Sequence, residues 1–351
     1  MKKIVAFLIV MCLINNTFAQ TKKDVITLVT KSKERKIEVL IDGKPFTNYI
    51  FPSDSILKKP VLYPIRTSKG TLITRGWPLD PRPGERTDHP HHVGLWLNYE
   101  DVNGFDYWNN SMAISKENRA KKHGTILHTG IVEAKSGRGK AQLTVTADWI
   151  DSDGKGHNAL KEKTTYIFRS KGNQRIIDRI TTLTAQDKEV FFKDVKDGMI
   201  AMRVARQLEL PSDKPDVFTD ANGVATKVPK LDNTGITGNY HSSEGIEGEK
   251  VWSTRGKWVN LTGKIGDEDI SIAMLDHPNN VSYPTYWHAR GYGLFAANPL
   301  GAKVFSNGKD ERNLKLAPKE SVTFKYRVVI TSGKVTDAEL NTLEEDFAKM
   351  K

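Results

Sequence analysis

The sequence has 351 residues, of which 27% are charged and 9% are aromatic, and its formal net charge is +11 at pH 7. The positive excess is spread along the chain without a basic stripe or a nucleic-acid motif, so we expect no nucleic-acid partner. The lack of a G-x-S-x-G elbow, a P-loop and a G-x-G-x-x-G motif disfavours serine hydrolases and enzymes with nucleotide cofactors.

The first residues have the pattern of a secretory signal peptide. Two lysines precede an apolar run over 4–14, and small residues stand at the first and third places of Thr17-Phe18-Ala19. The apolar run is shorter than a membrane-spanning helix requires. We predict cleavage after Ala19, which makes residues 1–19 a signal peptide.

The predicted export bears on location and on redox chemistry. The only cysteine, Cys12, lies in the removed segment, so the mature chain would contain no thiol. An exported protein without disulfides fits the bacterial periplasm better than a eukaryotic secreted domain. We therefore predict a periplasmic or secreted protein, and no later apolar run is long enough for a transmembrane segment.

Most of the mature chain consists of short segments in which apolar and polar residues alternate. A period of two predicts half-buried strands, most clearly at Leu143–Trp149 and Val322–Ile330, and Asp42-Gly43 predicts a hairpin. Weaker strand candidates are Val25–Thr30, Lys36–Ile41, Val61–Ile65, Thr71–Thr74, Thr125–Ile131, Thr164–Arg169, Ile176–Thr184, Met199–Leu208, Ile270–Met274 and Gly293–Ala297. The pattern predicts a mostly β protein, a large antiparallel two-sheet sandwich that residues 20–351 form as one domain.

One segment, Asp88–Trp108, is dense in potential chemistry. It reads D-H-P-H-H-V-G-L-W-L-N-Y-E-D-V-N-G-F-D-Y-W and holds three of the nine histidines within four positions. Proline and glycine favour a shaped loop that leads into a short strand. Histidine moves protons or holds metals near neutral pH, so we interpret this loop as part of a site.

A second polar and aromatic cluster lies nearly two hundred residues later, at Asp276–Gly301. It contains His277, His288 and Arg290 among several tyrosines and Trp287. Two remote segments of the same unusual composition suggest two walls of one pocket. We state this convergence as a hypothesis that only a structure can test.

The clearest helix of the sequence lies at its C-terminus. Thr336 followed by Glu339 is a capping box, and apolar residues recur at helical spacing over Asp337–Met350. We expect this helix to pack one face against a sheet and to be structural.

Five blocks resemble a bacterial family of secreted proteins of unknown function that is called PmoA-like. They are D-H-P-H-H-x-G-L-W from Asp88, D-V-N-G-x-D-Y-W from Asp101, W-H-A-R-G-Y-G-L-F-A-A-N-P-L-G from Trp287, and the segments Phe192–Ala205 and Trp252–Gly263. The name "methane oxygenase" does not fit, because that membrane enzyme needs transmembrane helices. The resemblance implies a sugar-catabolic context and the supersandwich of galactose mutarotase-like proteins. No glutamate near the C-terminus, Glu311 included, stands out as the mutarotase catalytic residue.

We first consider an enzyme that acts on a carbohydrate. The proton-transfer candidates are His89, His92 and His288, with Asp88 or Asp197 as the orienting or acid–base carboxylate. Aromatic faces and hydrogen-bonding groups for a sugar would come from Arg75, Trp96, Asn103, Trp108, Arg203, Trp287, Arg290, Tyr292 and Asn298. Lyase, epimerase and hydrolase chemistry all remain open. A hydrolase would need two carboxylates roughly 5–10 Å apart.

Two alternatives remain open beside the enzyme. A divalent metal could be held by imidazole and oxygen ligands, with His89, His91 and His277 as candidates. A non-catalytic carbohydrate-binding protein would use the same aromatic rings and arginines without needing perturbed histidines. Convergence of the histidines with a carboxylate in one cleft would favour the enzyme. The oligomeric state is open.

Overall fold

The computed structural model describes residues 23–53, 56–230 and 232–350. The predicted signal peptide and Cys12 lie outside these residues. Within them, no helix is both long enough and apolar enough to cross a membrane.

The strands are, in chain order, β1 (Val25–Lys31), β2 (Lys36–Ile41), β3 (Lys44–Ile50), β4 (Val61–Ile65), β5 (Leu95–Tyr99), β6 (Thr125–Lys135), β7 (Gly137–Arg138), β8 (Lys140–Ile150), β9 (Asn158–Lys171), β10 (Gln174–Ala185), β11 (Val190–Phe192), β12 (Gly198–Arg203), β13 (Asp216–Thr219), β14 (Ala225–Val228), β15 (Asn239–Ser242), β16 (Trp258–Ile265), β17 (Glu268–Asp276), β18 (Tyr286–Arg290), β19 (Leu294–Asn298), β20 (Leu314–Leu316) and β21 (Ser321–Ser332). Short 3-10 turns cover Ser32–Glu34, Arg206–Leu208 and Gly248–Val251, and the helices are α1 (Lys116–Lys122), α2 (Asp151–Gly154), α3 (Ala302–Phe305) and α4 (Asp337–Ala348).

Two large sheets organise these strands. The nine-stranded sheet has the order β18-β19-β12-β5-β4-β3-β2-β1-β7, and the eight-stranded sheet has the order β15-β16-β17-β21-β10-β9-β8-β6. Neighbouring strands pair antiparallel in both sheets, and β11–β20 and β13–β14 form two small ribbons. The predicted mostly β, antiparallel two-sheet fold with a C-terminal helix is confirmed.

Alternating apolar residues from both sheets meet in one core. Leu143, Val145 and Trp149 of β8 are buried there, as are Leu95 and Leu97 of β5. A strand places successive side chains on opposite faces, so the residues between them point outwards. Two smaller buried clusters lie on the outer faces, one around Trp96 and Trp108 and one under α4.

Turn chemistry and hydrogen bonding decided the outcome of three local predictions. Asp42 and Gly43 have φ of 48° and 75°, the left-handed values that a two-residue hairpin needs between β2 and β3. The expected strand Thr71–Thr74 forms only isolated bridges, at Leu72 and Thr74. The strand predicted over Met199–Leu208 ends at Arg203, where the chain turns into the short helix Arg206–Leu208.

Candidate active site

Two rows of side chains cross neighbouring strands of the nine-stranded sheet and face away from the core. Register partners on β18, β19, β12 and β5 form the first row: His288, Ala296, Ala201 and Trp96. Register partners on β18, β19 and β12 form the second row: Arg290, Leu294 and Arg203. Three strand spacings of about 4.8 Å separate the backbones of His288 and Trp96 by about 14 Å. The two alanines between them have short side chains, so the surface of the sheet is lower there than at His288 and Trp96.

The histidine loop is held above this sheet by one buried guanidinium. Arg75 Nη1 donates to the Asp88 carbonyl at 2.8 Å, and its Nη2 donates to the carbonyls of His89 and His92 at 2.9 and 3.1 Å. His89 has φ of 43°, so the loop turns sharply at its first histidine. A planar guanidinium suits this task because its donors are fixed in direction.

Asp88 joins the loop to the sheet through two arginines. Its Oδ1 accepts hydrogen bonds from Arg75 Nη1 and Arg203 Nη2, each at 2.6 Å, and its Oδ2 pairs with His89 Nδ1. Burial opposes ionisation, but the attraction of Arg203, His89 and Arg75 outweighs it and lowers the pKa of Asp88. This carboxylate is therefore ionised at neutral pH and orients the His89 ring.

Four rings form a column that links the two segments remote in sequence. The ring of His89 stacks between Tyr292 and His92, with centroids 5.4 and 4.8 Å away and planes 3° apart. Below it, His92 stacks on Trp96 at 5.2 Å and meets Trp108 edge-on at 5.7 Å. The structure thus brings the two histidine-bearing segments into contact, as the hypothesis required.

A second imidazole–carboxylate pair lies nearby. His288 Nδ1 is 3.5 Å from Asp197 Oδ1, and the Asp197 amide donates to Glu100 Oε2 at 3.1 Å. Burial lowers the pKa of His288 to about 3, and the nearby Lys196 adds to this effect. Burial raises the pKa of Asp197, and burial together with Asp197 raises the pKa of Glu100 to about 7. The environment thus favours neutral forms of all three groups.

The site contains polar atoms that are buried without a hydrogen-bond partner in the described part of the chain. They are His91 Nε2, His92 Nε2, Trp96 Nε1 and His288 Nδ1. The His288 Nδ1 contact with Asp197 is close enough for an ion pair but lacks hydrogen-bond geometry. Buried polar groups are normally paired, and a catalytic role is one explanation for a group that is not.

The members of the cluster differ in their exposure to solvent. His89 and Lys196 are exposed, and Asp197, Arg290 and Tyr292 are half-buried. His92 and His288 expose only 1% and 2% of their surface. The groups that a substrate meets first are therefore the His89 ring and the Asp197 carboxylate. A cavity of about 750 Å³ lies elsewhere, against the eight-stranded sheet.

Three of the predicted sugar-binding side chains are committed to other contacts. Trp287 points into the core, where its indole donates to the Gly256 carbonyl at 3.0 Å, because only its neighbour His288 faces outwards. Asn103 braces a turn through the Phe191 amide at 2.7 Å. Asn298 donates to the carbonyls of Val195 and Lys196, and so holds the segment before Asp197 in place.

The proposed metal ligands do not come together. His277 lies at the end of β17, where its Nε2 is 3.0 Å from the Met350 carbonyl and its ring meets Phe347 edge-on. His89 and His91 remain neighbours in the loop, with ring centroids 5.6 Å apart. In residues 23–53, 56–230 and 232–350, no group of three or more potential ligands has an arrangement suited to a metal ion.

One buried cation was missed at the level of sequence. Lys59 Nζ donates to the His91 carbonyl at 2.8 Å and lies 5.2 Å from the centroid of the Trp96 ring. Burial lowers the pKa of Lys59 to about 7. Its neighbours Lys58 and Pro60 carry no recognisable motif, so no signal in the sequence indicated that this lysine is buried.

The family of this chain is shown by a family model. The model described as "Family of unknown function (DUF6807)" matches residues 36–345. The chain belongs to this family. The matched residues of the DUF6807 protein include the histidine loop and the whole cluster around Asp197. None of the curated protein sequences matches the chain.

Several solved structures are similar to this DUF6807 protein at low identity. The α-galactosidase from Lactobacillus brevis has a TM-score of 0.40 and 9% identity, over 91% of this chain and 40% of that one. A putative aldose 1-epimerase from Escherichia coli K12 has a TM-score of 0.36 and 9% identity, over 88% and 100%. A galactose mutarotase-like protein from Clostridium acetobutylicum has a TM-score of 0.38 and 12% identity, over 89% and 99%. The chain spans about two fifths of the length of the α-galactosidases that it matches.

Proposed function

We propose that this protein is an exported carbohydrate-active enzyme that transfers protons between a sugar and two imidazole–carboxylate pairs. The observation that carries the proposal is the placement of Asp88–His89 and Asp197–His288 around one solvent-facing surface. The pairs come from segments far apart in sequence. The narrower PmoA-like assignment remains a prediction from the sequence blocks.

The two pairs are built in opposite senses. In the first pair the carboxylate is tied to Arg75 and Arg203 while the His89 ring is exposed, so the imidazole reaches the substrate. In the second pair His288 is buried and Asp197 is half-buried, so the carboxylate reaches the substrate. Because Asp88 holds the Nδ1 side of His89, the Nε2 atom is left to accept or donate a proton.

This arrangement suits proton abstraction on one side of a sugar carbon and proton donation on the other. His89 would accept a proton through Nε2, and Asp197, whose pKa burial raises, would donate one. Glu100, whose pKa is raised to about 7, accepts a hydrogen bond from the Asp197 amide and helps to keep the Asp197 backbone in place. Epimerisation and β-elimination both need such an acid and base. His92 supports the His89 ring and acts as a positioning residue.

Arg290 and Tyr292 supply the binding surface of the proposal. The Arg290 guanidinium lies 5.8 Å from the Tyr292 ring centroid and 5.3 Å from that of Trp252. Sugars combine apolar C–H faces with hydroxyl groups, so a half-buried ring beside a guanidinium suits them.

Proton exchange in heavy water tests the catalytic proposal. Purified mature protein is incubated in D₂O with panels of oxidised and unoxidised glycosides, with and without chelator, and deuterium entering a C–H position is followed by NMR. We expect H89Q and D197N to lose exchange by about 10²–10⁴-fold with unchanged melting temperatures. H241Q is the matched control, because it removes an imidazole that lies 3.0 Å from Asp337 on the other sheet.

Two results would count against the proposal. Turnover retained at the wild-type level in all three variants, H89A, H92A and H288A, would remove the catalytic assignment. Saturable sugar binding without exchange or product formation in the wild-type protein would establish the non-catalytic binding protein instead. The proposed export is tested separately, by mass spectrometry of the periplasmic fraction, where a chain that begins at Gln20 is expected.

A further inference from the structure

A basic cavity of about 750 Å³ lies on the outer face of the eight-stranded sheet, beside α4. Among its described lining residues are six basic side chains: Lys23, Arg138, Lys140, Arg169, Lys171 and Arg327. Only two acidic residues, Asp24 and Asp346, line it with them. Its volume lies within the range of about 300–1,000 Å³ that is common for small-molecule sites.

The deep arginines of this basic cavity are already neutralised. Arg327 Nε donates to Asp178 Oδ1 at 2.6 Å, and its Nη1 donates to Asp346 Oδ2 at 2.8 Å. Arg169 also pairs with Asp178. These groups build the inner wall and leave little charge for a ligand.

The rim of the basic cavity carries the uncompensated charge. Lys23, Arg138, Lys140 and Lys171 are exposed, and within the described chain none of them forms an ion pair. They come from three segments that the fold brings together, and the Gly139 amide donates to the Asp24 carbonyl at 2.7 Å to fix the hairpin beside Lys23. Like charges that converge in this way repel one another, and a bound anion would relieve the repulsion.

The lining also defines the kind of ligand. None of the described lining residues is aromatic, so a neutral sugar ring has no face on which to stack. The adjoining segment Gln20-Thr21-Lys22 contains no acidic residue, so its charge does not complement the rim. An external anion fits better than the chain's own N-terminal segment.

We propose that the basic cavity binds a compact polyanion that carries at least two carboxylate, sulfate or phosphate groups. The rim cations would form charge-assisted hydrogen bonds with these anionic groups. The rim of this site includes β7, which lies at the other edge of the nine-stranded sheet from β18 with its His288–Asp197 pair. The proposal does not rest on the proposed catalytic function.

Isothermal titration calorimetry at low and high salt tests the proposal. The probes are inorganic pyrophosphate, trigalacturonate, a sulfated disaccharide and a neutral trisaccharide, which together distinguish the source of the anionic groups. We expect at least one anion to bind with a Kd below about 1 mM, more weakly at high salt, and the neutral sugar not to bind here. The triple variant R138Q/K140Q/K171Q should bind that anion about tenfold more weakly or worse.

The matched control removes the same charge elsewhere. K227Q/K230Q/K250Q changes three exposed lysines outside the basic cavity and should weaken binding less than twofold. D197N should leave anion binding unchanged, which separates this site from the proposed catalytic one. The proposal is overturned if no anionic probe binds, or if both triple variants weaken binding equally.

Discussion

Each large sheet carries a buried arginine–aspartate cluster on its outer face, and the two clusters differ in what is left unpaired. On the eight-stranded sheet, Asp178 is fully buried and bonds to Arg327 and Arg169. The helix α4 closes this cluster from above through Asp346. A buried charge that is paired on every side mainly holds the structure together.

On the nine-stranded sheet, the arginine–aspartate cluster has unpaired polar atoms beside it. Asp88 bonds to Arg75 and Arg203, but beside it the Nε2 atoms of His91 and His92 have no partner in the described residues. The exposed His89 ring contacts the rings of His91, His92 and Tyr292, and none of these three residues lies on a helix. The pairing of Asp178 with two arginines is therefore typical of a structural role, and the unpaired histidine nitrogens beside Asp88 mark a candidate functional site.

The largest expected effect comes from removing one arginine from each cluster, which tests whether the two clusters differ in role. R203M should lower the free energy of unfolding by about 3–5 kcal/mol, because Asp88 stays buried with one partner fewer, and R327M should do the same through Asp178. Urea denaturation measures both. Only R203M should also change the NMR chemical shifts of the His89 ring, and R203K should recover part of the lost stability. An equal effect of R327M on His89 would contradict the proposed separation.

Removing the apolar contact under α4 should have a slightly smaller effect. F347A deletes a fully buried ring that packs against Arg327 and the edge of His277. We expect a loss of about 3 kcal/mol in the free energy of unfolding because a cavity remains. F347L serves as the conservative control. Turnover at the histidine site should be unchanged, and a parallel loss of activity would show that the two faces are coupled.

Glu100 gives a pH-dependent test of the open site. Its pKa is raised from 4.5 to about 7, so the folded state favours the protonated form. The corresponding stability is fully present below pH 4.5 and is lost as the pH rises through 7. E100Q stays neutral, so at pH 8 it should be more stable than the wild type by about 1–2 kcal/mol, after allowance for partial exposure.

The same comparison at pH 4 provides the internal control for Glu100. There the wild type and E100Q should have equal stability, because both side chains are neutral. E345Q, on the exposed face of α4, should show no such pH dependence. Urea denaturation at several pH values measures the difference, and a constant offset between pH 4 and pH 8 would refute the raised pKa.

The smallest expected effect concerns the start of α4. The Thr336 hydroxyl oxygen accepts a hydrogen bond from the Glu339 amide, and the Thr336 amide donates one to the Glu339 carboxylate. T336A should cost about 1 kcal/mol in the free energy of unfolding, whereas T336S should retain the cap. Thermal and urea denaturation measure the loss. If T336A lowered the free energy of polyanion binding by more than it lowered the free energy of unfolding, α4 would be shown to shape the basic cavity.

Much of the fold could be predicted because alternation is a local signal. The apolar residues of Leu143–Trp149 and Val322–Ile330 lie on strands, and Asp42-Gly43 forms the expected hairpin. Thr71–Thr74 was also a strand candidate but forms only isolated bridges. A segment forms a strand only where a partner strand pairs with it along its length. The capping box of α4 was likewise readable from residues three positions apart.

The candidate site was only partly predictable. Density of histidine and aromatic residues pointed to the loop and to His288, and the structure brings these segments together. Composition could not tell Trp287 from His288, because a shift of one residue moves a side chain to the other face of the strand. It also placed His277 in the site, whereas that ring packs under the C-terminal helix.

By itself, the sequence determined the local conformations of this protein: alternating strands, the hairpin turn and the helix cap each depend on neighbouring residues. Tertiary structure alone decided which charges are buried and which groups face one another. Lys59 became a buried cation, Asp197 met His288, and four basic residues gathered at one rim. These contacts between remote residues depend on the order of the strands in the two sheets. Patterns among neighbouring residues do not specify that order.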